Sequence, residues 1–112
     1  MRVPHSSAAY VNAAKIRDYL LSPVHPLGCF KSSFFTSLGY SQDSWTQLEI
    51  DLRTHLRSHA VLQIRRNVYG TKYCVRGRLR GPSGAAADVI AVWIVLDGES
   101  TPRFVTAYPG ED

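Results

Sequence analysis

The chain has 112 residues, 45% of them hydrophobic and 20% charged, with a formal net charge of +4. That length holds one domain around one modest core and leaves no room for a second. The basic balance favours a polyanionic partner.

The opening "MRVPHSSAAYV" lacks the continuous apolar run of a signal peptide, and no later stretch is long enough to cross a bilayer. Cys29 and Cys74 sit in apolar or alternating surroundings without framework spacing, and read as reduced thiols. The expectation is a cytoplasmic protein with no membrane contact. Residues 1–11 are expected to be a flexible tail, and 12–112 the folded domain.

"NAAKIRDYLL" predicts a first helix capped by Asn12, with Ile16, Tyr19 and Leu20 at helical spacing, ended by Pro23. "SPVHPLG" is a rigid loop that carries His25 outside regular structure. A short second helix bearing Lys31, Phe34, Phe35 and Leu38 stops at Gly39. "SQDSWTQLEIDLRTHLRSH" predicts the longest helix, with Asp43 or Ser44 as cap and Trp45, Leu48, Leu52 and Leu56 on one stripe.

After His59 the apolar period becomes two, the signature of strands. "AVLQIRRNV" turns at "YGT" into "KYCVRGRLR", "GPSG" leads to "ADVIAVWIVL", and "DGESTP" leads to "RFVTAY". The expected class is α+β: about three N-terminal helices packed on one face of a four-stranded antiparallel meander.

Parity divides this sheet into two faces. One set, Leu62, Ile64, Val68, Tyr73, Val75, Leu79, Ile90, Val92, Ile94, Leu96, Val105 and Ala107, suits the helices. The other holds Gln63, Arg65, Asn67, Cys74, Arg76, Arg78, Ala91, Trp93, Val95, Phe104, Thr106 and Tyr108. The open face is therefore expected to be basic on one half and aromatic on the other. From Arg53 to Ala87 there is no Asp or Glu, while Arg53, Arg57, Arg65, Arg66, Lys72, Arg76, Arg78 and Arg80 all fall there. Arginines grip phosphates and aromatic rings stack bases, so Arg65, Arg76, Arg78, Trp93 and Phe104 are the candidate substrate-binding residues. A threonine hydroxyl can donate to a phosphate oxygen, and a tyrosine can orient a ribose or stack a base, which singles out Thr106 and Tyr108.

The helices-then-meander layout, the basic residue in an early helix and the terminal "VTAYP" resemble the barnase, EndoU, colicin and RelE group of small ribonucleases. A closer resemblance, from Lys15 to Pro109, is to an uncharacterised bacterial domain family; "YLLSPVHPLGCFKSSFF", "GTKYCVRGRLRGPSG", "VW" and "VTAYP" carry it. The wider resemblance implies a metal-independent endoribonuclease, many of whose relatives are toxins. Such cleavage must deprotonate a 2′-hydroxyl, stabilise a phosphorane and protonate the leaving 5′-oxygen. His25 is the candidate acid or base, Lys31 the phosphate ligand, Thr106 the last-strand hydroxyl of that group and Tyr108 its terminal tyrosine. No second catalytic histidine stands out. His55 and His59 have a zinc-compatible spacing without a third ligand, so neither a metal nor another cofactor is expected.

The implied partners are RNA, transfer RNA included, and an acidic antitoxin or immunity protein. The alternatives are a nucleic-acid-binding module without catalysis, and an antitoxin- or immunity-type protein-interaction module.

Overall fold

The Asn12 side chain accepts the Ala14 N–H at 2.9 Å and so caps the first helix, α1, Ala13–Lys15. The backbone then widens into a π turn over Ile16–Leu20, closed by the Leu21 N–H on the Ile16 carbonyl at 3.0 Å. Ile16 and Leu20 enter the core from this turn, and Tyr19 packs half-buried at the core's margin. Helix α2, Cys29–Ser37, ends at Gly39, whose φ of +101° is the left-handed conformation that glycine adopts without strain. These positions come from a computed structural model that describes residues 2–22 and 29–110, with the side chains of all but Cys29 and Phe30. His25 and the proline-rich loop around it lie outside the described residues.

Helix α3, Trp45–Ser58, buries Leu48, Leu52 and Leu56 completely, the stripe its periodicity predicts. Its N-terminus differs from expectation, because Ser44 makes no side-chain cap. The Ser44 N–H instead donates to Ser41 Oγ at 3.3 Å.

His55, also on α3, is buried, and its Nε2 faces the carbonyl oxygens of Gly77 and Val89, both at 3.1 Å. Both partners are acceptors, so Nε2 carries the proton, while Nδ1 is buried with no partner among the described residues. Burial pushes the His55 pKa down, against the opposing pull of those carbonyls. The unfolded chain therefore binds a proton that the folded chain resists, and stability present above the unfolded histidine value is lost as pH falls through it. Thermal unfolding should show a midpoint that drops below about pH 6.5. His55→Gln should flatten that dependence while lowering stability throughout. A pH profile identical in the two proteins would contradict the assignment.

Four strands follow, β1 (Val61–Arg66), β2 (Gly70–Arg80), β3 (Ala86–Leu96) and β4 (Arg103–Pro109), paired antiparallel in chain order. The fold is thus the expected α+β arrangement. The first hairpin turns earlier than "YGT", because Asn67 Oδ1 accepts the N–H groups of Tyr69 and Gly70 at 2.8 and 3.0 Å.

The two faces need correction on three strands. On β2 the expected parity holds: Tyr73, Val75 and Leu79 are buried. On β3 it is reversed, since Tyr73 pairs with Trp93 and Val75 with Ala91, which puts Val89, Ala91 and Trp93 in the core. Ile90, Val92 and Ile94 take the open face. Both alternate sets on β3 are apolar, so hydropathy alone cannot choose between them. On β4, Val92 pairs with Thr106 but Trp93 with Phe104, so an irregularity at Val105 sends Phe104 inward while leaving Thr106 and Tyr108 outward. Trp93 and Phe104 are 0% and 4% exposed and meet edge to face, with centroids 5.2 Å apart.

On β1 and in the turn after it, Leu62, Ile64 and Val68, expected beneath the helices, are exposed, because β1 is an edge strand and α3 lies chiefly against β2. The expected N-terminal tail is also corrected. Val3, Ala9 and Val11 are buried in the main core. Tyr10 donates its N–H to the Pro102 carbonyl at 2.8 Å and accepts from the Phe104 N–H at 2.9 Å, and Arg53 donates to the Ala9 carbonyl. The segment covers part of the β4 edge, and satisfying that edge outweighs the entropy of a free tail.

Candidate functional site

Lys31 sits in the first turn of α2, Thr106 in the middle of β4 and Tyr19 in the π turn, three elements brought together at the last strand of the sheet. The Lys31 ammonium donates to the Tyr19 hydroxyl at 2.8 Å and to Thr106 Oγ1 at 3.0 Å. It also lies 5.1 Å from the Tyr19 ring centroid. Among the described residues no carboxylate pairs with Lys31, so its charge is held by hydroxyl dipoles and not cancelled. The Lys31 hydrogen bond is the main cause that holds the Tyr19 phenol below the usual tyrosine range, with burial opposing it.

The open face continues from this cluster in cross-strand rows. Thr106 stands beside Val92 and Cys74, and Tyr108 beside Ile90 and Arg76. Burial pushes the half-buried Tyr108 phenol up, with a smaller contribution from Cys74, so Tyr108 is a neutral donor near neutrality. Cys74 is a free thiol. Arg76 forms an ion pair with Asp88 at 3.0 Å, Arg78 stands opposite Asp88 in the ladder, and Arg65 is exposed on β1 opposite Lys72. Part of the basic charge expected for substrate is therefore shared with Asp88.

The structure brings Lys31, Thr106 and Tyr108 to one surface and puts Arg65, Arg76 and Arg78 on the same side of the sheet. It removes Trp93 and Phe104, whose burial leaves no ring face for a base. Helical spacing marks Tyr19 only as a core position, and its place four residues ahead of Pro23 carries no sign that the phenol turns toward Lys31. Two other features are separate from the cluster. A cleft of about 520 Å³ lined by Tyr10, Glu99, Thr101 and Arg103 has its charges paired internally through Glu99 and Arg103. His55 and His59 engage backbone carbonyls, and no group of three or more His, Cys, Asp or Glu converges among the described residues. No helix among those residues is long and apolar enough to cross a membrane.

These features define an α+β domain in which a helix-borne lysine is seated between two hydroxyls, one of them on the last strand of an antiparallel meander. The chain belongs to the family described as "Domain of unknown function (DUF6883)", whose family model matches residues 2–111. No curated protein matches it in sequence. Among solved structures it is similar to a chain of a contact-dependent growth inhibition toxin–immunity protein complex from Klebsiella pneumoniae 342. The TM-score is 0.74 at 17% identity, over 96% of this chain and 97% of that one, a likeness of fold.

Proposed function

We propose that the protein is a metal-independent endoribonuclease of the toxin type, which cleaves RNA by attack of a ribose 2′-hydroxyl on the adjacent phosphate. The observation that carries this reading is the Lys31 ammonium fixed between Tyr19 and Thr106 without a carboxylate counter-ion among the described residues. A phosphate oxygen arriving beside Lys31 and Thr106 meets a positioned cation and a hydroxyl donor, and the negative charge growing on the phosphorane strengthens both contacts. Tyr108, two residues along the same strand face, offers a phenol to the ribose or base, and Arg65 and Arg78 supply charge along the flanking strand pair. No step is assigned to His25. The toxin–immunity complex named above supports a setting among toxins and their immunity proteins for the fold.

Purified protein incubated with total RNA and with transfer RNA in EDTA should generate fragments ending in 2′,3′-cyclic phosphate. RNA that stays intact at high enzyme excess would defeat the nuclease reading.

A second reading, compatible with the first, concerns a protein partner. Among the described residues no strand lies beside the outer edge of β1; Leu62 and Ile64 on this strand and Val68 and Tyr69 in the turn after it are 57%, 45%, 86% and 69% exposed, next to Arg65. An acidic partner that adds a strand to this edge would pair its backbone groups, cover the apolar side chains and neutralise the arginine. Co-expression with an acidic immunity-type protein encoded beside it should give a stable complex that Leu62→Asp and Ile64→Asp together disrupt. A complex insensitive to both substitutions would put the partner elsewhere.

A further inference from the structure

We infer that Tyr19 is the general base of the cleavage, and that Lys31, bonded to it, returns the proton to the leaving group. The inference rests on the ribonuclease reading above. It begins from geometry: the Tyr19 hydroxyl is 2.8 Å from the Lys31 ammonium, which is itself 3.0 Å from Thr106 Oγ1. The phenol is therefore bonded directly to Lys31 and linked through it to Thr106, the two groups that would hold the phosphate, where the 2′-hydroxyl of the same nucleotide must also sit. An ammonium that donates to a phenol oxygen stabilises the phenolate over the phenol.

The surroundings act in the same direction. Among the described residues, the charged groups that act on Tyr19 are Lys31 from α2 and Lys15 from the end of α1, both cationic, and β4 contributes the neutral Thr106. Together they hold the phenol low, with the Lys31 hydrogen bond the largest cause and burial opposing it. The π turn bears on the position as well, since Tyr19 lies within it while Ile16 and Leu20 anchor the same turn in the core. Such widened turns occur frequently at functional sites. His55 Nε2 and His59 Nδ1 already engage backbone carbonyls, and neither histidine is needed.

The step balances without an outside acid or base. The 2′-oxygen forms a bond to phosphorus as its proton passes to the Tyr19 phenolate oxygen, and the bond from phosphorus to the 5′-oxygen breaks as that oxygen takes a proton from the Lys31 ammonium. The proton now on Tyr19 then crosses to the Lys31 amine along their shared hydrogen bond. Phenolate and ammonium are restored, and the products are a 2′,3′-cyclic phosphate and a free 5′-hydroxyl. Two groups and one internal transfer do the work usually divided between two histidines.

The test uses the whole chain, a transfer RNA substrate and three proteins: the native sequence, Tyr19→Phe and Lys31→Met. Ultraviolet titration of tyrosinate, native minus Tyr19→Phe, should show Tyr19 ionising below the remaining tyrosines, and Lys31→Met should move that ionisation upward. Single-turnover cleavage by the native protein should rise with pH along the same ionisation. Tyr19→Phe should remove the rise and slow cleavage near neutrality by about 10²–10³-fold while RNA binding stays within a few-fold. A Tyr19→Phe protein that cuts at the native rate, or keeps the native pH profile, overturns the inference and leaves the ribonuclease reading standing. A Tyr19 signal that titrates with the other tyrosines and ignores Lys31→Met overturns it independently of any cleavage. Absence of cleavage by the native protein at every pH overturns both.

Discussion

Lys31→Met should reduce the single-turnover rate of RNA cleavage by about 10²–10³-fold, the usual loss when one preorganised donor to a developing oxyanion is removed. Methionine preserves most of the stem that packs beside Tyr19 and deletes the charge, so the effect is chemical and not a failure to fold. The two hydrogen bonds lost with the ammonium contribute on the order of 1 kcal/mol each to stability, too little to unfold a domain of this size. Lys31→Arg should not rescue the activity, because a planar guanidinium cannot occupy the position of a compact ammonium between two hydroxyls. Thr106→Val, which keeps shape and removes the hydroxyl, should cost less, about 10-fold, since the phosphate retains its cation. In the double variant the losses should combine to less than their product, because both residues act on one phosphate. Rates measured on a defined RNA under enzyme excess separate these outcomes. Native-like cleavage by Lys31→Met would end the argument for this site.

Trp93→Ala should destabilise the fold by about 3–5 kcal/mol, a large share of the stability of a small domain. The ring is wholly buried, packs edge to face on Phe104 and pairs across the sheet with Tyr73. Its Nε1 has no hydrogen-bond partner among the described residues, so Trp93→Phe loses volume but breaks none of the described hydrogen bonds and should cost much less. Guanidinium unfolding followed by circular dichroism measures both substitutions, and the contrast with Tyr108→Ala is informative. Tyr108 is half-buried on the open face and should affect RNA cleavage more than the unfolding midpoint. If Trp93 instead stacked a base, Trp93→Ala would leave the midpoint unchanged and weaken RNA binding alone.

The layout of helices followed by a four-stranded antiparallel meander is legible from the chain, because helical and strand periods are properties of neighbouring residues. Asn12, the leucine stripe of α3, Gly39 and the turn residues each act within a few positions of themselves. The two polar residues of "VTAYP" are legible for the same reason: strand parity puts Thr106 and Tyr108 on one side whichever side that is. The choice of face for β3 is not legible, because Val89, Ala91 and Trp93 alternate with Ile90, Val92 and Ile94, two apolar sets of nearly equal merit. Only cross-strand registration against β2 decides between them, and it sends Trp93 inward. The irregularity at Val105 reverses Phe104 relative to Thr106, which simple alternation cannot anticipate.

The meeting of Tyr19, Lys31 and Thr106 belongs wholly to the tertiary structure. Lys31 and Thr106 stand 75 residues apart in sequence, and their contact depends on how α2 and the π turn come to lie beside β4. Packing of the N-terminal segment against β4 is likewise a nonlocal choice, made where Val3, Ala9 and Val11 find buried surface and Tyr10 finds backbone partners. Local propensities thus determined which elements form and which residues share a strand face. Burial of the largest side chains and satisfaction of the sheet edge decided where those elements sit, and with them the place where the Lys31 charge is held by two hydroxyls with no described carboxylate in ion-pair contact.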